Sequence, residues 1–174
     1  NFEQQQYGQP GYPGQSQVAA NFQQTLGEFQ QNPTGFITHN WPPLSAIVAA
    51  LLGFISLFLP AVSASYSLFG ASASFSASFI QGDGAFLLPL YLLTIAASVL
   101  IYALRAPWVS TAFGVSTLVT GASSLIVAVV AFSRIGSYSG YGVSVGAGTV
   151  LVLLTGIILI GIGIAHFLLR GKKN

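Results

Sequence analysis

Very few side chains in this sequence can do acid–base, metal-binding or nucleophilic chemistry. The ionisable carboxylates are Glu3, Glu28 and Asp83, and the histidines are His39 and His166. Asp83 is the single carboxylate beyond residue 28, so no paired acids are available for general acid–base work. No acid cluster suits Mg²⁺ or Zn²⁺, and no serine is expected to have a histidine partner on the same side to activate it. There is no cysteine, hence no disulfide, thiolate ligand or thiol nucleophile, and no reading of redox compartment. A haem or metal bound by His39 and His166 would need further ligands. His166 lies in the last turn of an apolar run and reads as an interfacial polar group. The glycines around Tyr141 and Ala147 have the look of a phosphate loop but lack its lysine, and serve instead as bends. The expectation is a chain that is not an enzyme and holds no cofactor or metal.

Small and hydroxylated residues carry the clearest pattern. Gly114, Thr117, Gly121 and Ser124 lie at offsets of three, seven and ten, with Ser116, Thr120 and Ser123 alongside. Ser45, Ala49 and Gly53 recur every four residues. Small residues let helix backbones approach closely, and hydroxyls bond across such seams. Gly156, Gly161 and Gly163 read as packing notches. A water-filled route along Ser116, Thr120 and Ser123 is the alternative, but routes of that kind usually include an intramembrane acid or base, and none is present.

The elements that must position these residues are apolar runs. Residues 43–62, 85–104, 109–132 and 149–169 carry no charge, in a chain that is 53 % hydrophobic and 5 % charged. About 20 apolar residues suffice to cross a hydrocarbon core of about 30 Å. The fold expected is an all-α membrane protein: a low-complexity tail over 1–40, then a bundle of four transmembrane helices over 41–174, in a bacterial plasma membrane. With both termini inside, Arg105, Arg170, Lys172 and Lys173 face the cytoplasm and only Arg134 faces out, as the positive-inside rule prefers. Trp41 and Trp108 then fall at the cytoplasmic interface. The basic residues are too scattered for nucleic acid. The first apolar run has no basic stretch before it, so no cleavable signal peptide is expected, and the opening Asn1 suggests a piece of a longer product.

Two further stretches carry structure. Within the Gln/Gly/Pro/Tyr-rich tail, whose first residues have no apolar set for a core, Val18, Phe22, Leu26 and Phe29 share one face of a short amphipathic helix over 18–30. No lysine or arginine flanks that face, so a greasy groove on another protein suits it better than an anionic lipid surface. From Ala71 to Phe79 apolar and polar residues alternate strictly, a strand signal. Tyr66 to Phe69 could pair with it across Gly70, and Tyr138 to Val145 could add a strand, giving a small sheet from both outer loops.

The tail YGQPGYPGQ ahead of four helices with modest loops resembles the accessory subunits of the actinobacterial cytochrome bcc–oxidase respiratory supercomplex. That resemblance implies a peripheral bundle without cofactor, surrounded by membrane lipids and other integral membrane subunits, in the respiratory electron transport chain. The layout is also similar to claudins, but their tryptophan and paired cysteines in the first outer loop are missing. The function expected is a non-catalytic accessory subunit. A small transporter or channel for a neutral or lipid-like solute, and a cell-envelope scaffold, are the alternatives.

Overall fold

A computed structural model of the chain describes residues 13–171. It contains six α-helices: α1 (Pro13–Gln31), α2 (Pro33–His39), α3 (Trp41–Ser56), α4 (Leu87–Leu104), α5 (Pro107–Ser137) and α6 (Ala147–Gly171). Three strands accompany them: β1 (Pro60–Leu68), β2 (Ala71–Ser78) and β3 (Val143–Val145). Helices α3 to α6 form a four-membered bundle in which α3 packs on α4 and α6, and α5 packs on α4 and α6. The sheet caps one end. The tail elements α1 and α2 and the α4–α5 turn lie at the other.

Among the described residues three helical stretches are long and apolar enough to cross a membrane: Asp83–Leu104, Pro107–Ser137 and Ala147–Gly171. Pro107 is the first residue of α5, where its missing amide hydrogen costs nothing. Pro89 is third in α4 and is tolerated for the same reason. The first apolar run behaves differently from expectation. A helix over 43–62 was expected, but α3 runs from Trp41 and ends at Ser56, after 16 residues. Leu57, Phe58 and Leu59 close it with bonds to residues three back. Pro60, which cannot donate to a helix, then turns the chain into β1. Hydropathy alone does not separate a buried helix from a buried strand.

The sheet has the order β2–β1–β3, all antiparallel, and draws on both loops as the alternation predicts. The hairpin turns over Phe69 and Gly70, with φ of 51° and 83°. Positive φ at both central residues is what a two-residue type I′ turn requires. Directly opposed residues share a face. One face therefore pairs Ser63 with Ser76, Ser65 with Ser74 and Ser67 with Ser72, and extends to Ser144 on β3. The other pairs Val62 with Ala77, Ala64 with Phe75 and Tyr66 with Ala73. Only its base, around Ala61 and Ala64, is buried; Tyr66, Phe69 and Phe75 stand clear of the bundle. Gly146 N–H to Ala61 O (2.8 Å) and Thr149 Oγ1–H to Ala61 O (2.8 Å) tie that base to the start of α6.

Helix contact is closest where glycines meet. A Cβ on Gly121 would lie 2.9 Å from Ile160 N and 3.0 Å from Gly156 O. One on Gly156 would lie 2.9 Å from Leu125 N. The backbones of α5 and α6 thus touch with no side chain between them. The outward surfaces are apolar throughout: Leu51 and Ile55 on α3, Leu92 and Leu93 on α4, Ile126 and Val129 on α5, and Leu154 and Ile158 on α6 are all exposed. Water would not tolerate such a belt, whereas lipid chains are its natural solvent.

Candidate functional site

The tail helix is joined to the bundle by its polar edge. Asn21 Nδ2 donates to Ala103 O at 2.8 Å, and Arg105 Nη2 donates to Thr25 Oγ1 at 3.3 Å. Arg105 Nη2 also pairs with Glu28 Oε1 at 3.4 Å. Asn21, Thr25 and Glu28 follow one line along α1, about 90° round from the line of Val18, Phe22, Leu26 and Phe29. At the end of α1 the chain turns through Asn32, whose side chain accepts from Gly35 N–H at 2.9 Å and caps α2 ahead of Pro33. Phe36 of α2 then sits between Phe29 and Tyr102, with ring centroids 5.7 Å and 6.0 Å away.

This arrangement leaves the apolar line of α1 only partly covered, although Phe29 meets Phe36. Val18 is half-buried, whereas Phe22, Leu26 and Phe29 remain 40 %, 50 % and 44 % exposed. Ile37 of α2 is exposed as well. An amphipathic helix held by its hydrophilic side is an unusual economy. The part of its hydrophobic side still exposed can gain further free energy only from a surface outside this fold.

The other residues at this end serve as its frame. Arg105 caps α4 in the left-handed conformation (φ 45°), and this bend aims its guanidinium back at α1. Its ion pair is partly exposed and by itself contributes at most about 1 kcal/mol. Trp41 begins α3, Trp108 is the second residue of α5, and both are exposed. Arg170 donates to Thr111 Oγ1. Lys172 and Lys173 lie outside the described residues, as do residues 1–12 of the tail.

Inside the bundle the hydroxyl rows are closed. Gly114, Thr117, Gly121 and Ser124 are all buried, as are Ala49 and Gly53 on α3; Ser45 is half-buried. Tyr91, which the sequence pattern did not single out, is the largest fully buried side chain among the described residues. Its ring fills the space that a Cβ on Gly53 would take, and its hydroxyl lies 2.8 Å from Ser124 Oγ. Thr94 Oγ1 meets Thr120 Oγ1 at 2.8 Å. Tyr91, Thr94 and Ser98 recur at helical spacing within an apolar helix, and that was the signal for them. Among the described residues no buried side-chain polar atom lacks a partner. The row that would line a route in the alternative reading has Thr120 fully buried and spent on Thr94, Ser116 bonded to Phe113 O, and Ser123 half-buried.

The two histidines line one cavity of about 250 Å³ beside Asn40 and Arg170. Contrary to expectation one serine does meet a histidine: His166 Nε2 lies 3.0 Å from both Ser110 Oγ and Ser110 O, because α5 and α6 pack side by side at this end, and its ring packs edge-on against Phe113 with centroids 4.8 Å apart. His39 is exposed. Among the described residues no three His, Cys, Asp or Glu side chains come together as a metal set would require. No known protein family, curated protein or solved structure matches the chain.

Proposed function

We propose that this protein is a non-catalytic accessory subunit of a membrane complex, with α1 as the element that engages its partner. The observation that carries this reading is the mode of α1 docking. Hydrogen bonds from Asn21 and to Thr25, and the Glu28 ion pair, hold the helix, so that Phe22, Leu26 and Phe29 present an apolar line outward. A handful of buried aromatic and aliphatic anchors commonly dominates an interface of this kind. The stretch 13–31 has no lysine or arginine, which favours an apolar groove on another subunit over an anionic lipid surface.

In this reading all four bundle helices cross the bilayer. Helix α3 rises about 24 Å over its 16 residues. The three tightly wound residues after it add about 6 Å, which brings the segment to the hydrocarbon thickness. Both ends of the bundle's chain, with Trp41, Trp108, Arg105 and Arg170, then lie on the cytoplasmic side, and the sheet lies outside. The host complex implied by the sequence resemblance is the actinobacterial respiratory supercomplex. The closed hydroxyl seam favours this structural role over a solute route through the bundle.

The test is the double substitution Phe22→Ser with Leu26→Ser, followed by purification in a mild detergent. Phe22 and Leu26 lie outside the buried core of the bundle, so the protein should remain folded while its co-purifying subunits, and any haem absorbance they bring, are lost. Partners retained at wild-type stoichiometry would end the proposal.

A further inference from the structure

At the opposite end of the molecule, the sheet base overhangs α5 and leaves a cleft of about 500 Å³. That volume is in the usual range for a small-molecule site. One wall is a face of α5, formed by Ile126, Val130, Ala131 and Arg134, at offsets of four, five and eight. The other wall contains Phe79 and Phe86, from the turns that lead into α4.

The cleft is graded along its length. Ile126 and Val130 are exposed on the same apolar belt that faces lipid, so the lower end is open to hydrocarbon. Two turns higher, Arg134 Nη1 and Asp83 Oδ2 stand 3.7 Å apart at the mouth. Well-formed charged hydrogen bonds are about 2.7–2.9 Å long. These side chains are also 72 % and 98 % exposed, so solvent screens their attraction and little is lost when either re-pairs. An apolar channel that ends in one cation and one anion complements an amphiphile with the same order of groups.

We propose that the cleft binds a zwitterionic phospholipid of the leaflet at the sheet end, with its phosphate on Arg134, its primary ammonium on Asp83, and one acyl chain along Ile126 and Val130. The carboxylate at the mouth tilts the choice away from a purely anionic headgroup, which would satisfy Arg134 but meet Asp83 with like charge, by the modest margin that a solvent-exposed charge supplies. The site does not depend on which side of the membrane the sheet occupies, nor on the partner proposed for α1.

The experiment uses the full chain in nanodiscs of equal phosphatidylethanolamine and phosphatidylglycerol, with retained lipid identified by native mass spectrometry after release into detergent. Phosphatidylethanolamine should be retained above its share. Arg134→Ala should lower that retention about two- to fivefold, the worth of a solvent-exposed charge pair. Asp83→Asn should keep lipid but erase the preference. Ala131→Trp, which fills the cleft without touching a charge, should lower retention of both lipids. Thermal unfolding of each variant establishes that it is folded. Retained lipid that mirrors the supplied mixture, a preference for phosphatidylglycerol, or retention unchanged in either Arg134→Ala or Ala131→Trp would overturn the proposal.

Discussion

Alanine at Gly156 and alanine at Gly161 should have opposite consequences, although both lie in α6 five residues apart. Each replacement removes the backbone freedom of glycine, a gain of about 1 kcal/mol in a helix interior. The difference between them isolates contact. At Gly161 a new Cβ meets nothing within 4 Å. At Gly156 it meets Leu125 N at 2.9 Å, Gly121 O at 3.0 Å and Leu125 Cα at 3.3 Å. All three are backbone atoms, so no side chain can rotate away, and α5 and α6 must move apart. Forcing a methyl group into a packed interior costs about 1–3 kcal/mol. Gly156→Ala should therefore be less stable than Gly161→Ala by that amount, about 5- to 150-fold in the unfolding equilibrium. Reversible unfolding in bicelles, measured on the two variants side by side, gives the difference directly. Gly121→Ala should behave like Gly156→Ala, and the double variant should cost less than the two singles together, since both open the same gap. If the Gly156 and Gly161 variants agree within about 0.5 kcal/mol, backbone contact between α5 and α6 is not what holds this bundle.

Two further outcomes are expected. Tyr91→Phe should cost only about 0.6 kcal/mol in the same assay, because Ser124 keeps its bond to Thr120 O at 2.7 Å when the tyrosine hydroxyl is gone. Phe69→Asn should stabilise the hairpin by about 1 kcal/mol and slow amide exchange across β1 and β2, because a phenylalanine at φ 51° carries left-handed strain that asparagine tolerates.

Much of this architecture was legible where a single period dominates. Strict alternation from Ala71 to Phe79 announced β2, and uncharged length announced α4, α5 and α6. The end of α3 was hidden, because Leu57 to Val62 is as apolar as the helix before it and only Pro60 marks the change. The tail helix was legible as a face, Val18 to Phe29, but its manner of attachment was not. That depends on Arg105, some 80 residues away, and on the left-handed backbone that swings its side chain toward Thr25. Helix α2 was missed although Asn32 and Pro33 carry the start signal. Tyr91 escaped notice because its value lies in filling the notch at Gly53, a relation between two helices that neither displays alone.

The hairpin's hydroxyl face has a consequence for how the strand pair finds its alignment. A slide of β2 by two residues would still set serine against serine over much of its length, and alanine against alanine or an aromatic ring. The repeat itself therefore scarcely distinguishes the native alignment from its neighbours. The choice is made at the two extremities: the reversal at Phe69–Gly70 and the anchorage of Ala61 by Gly146 and Thr149. Individual serines along the ladder should be replaceable with little penalty, while lengthening the reversal by a single residue would release a family of shifted pairings.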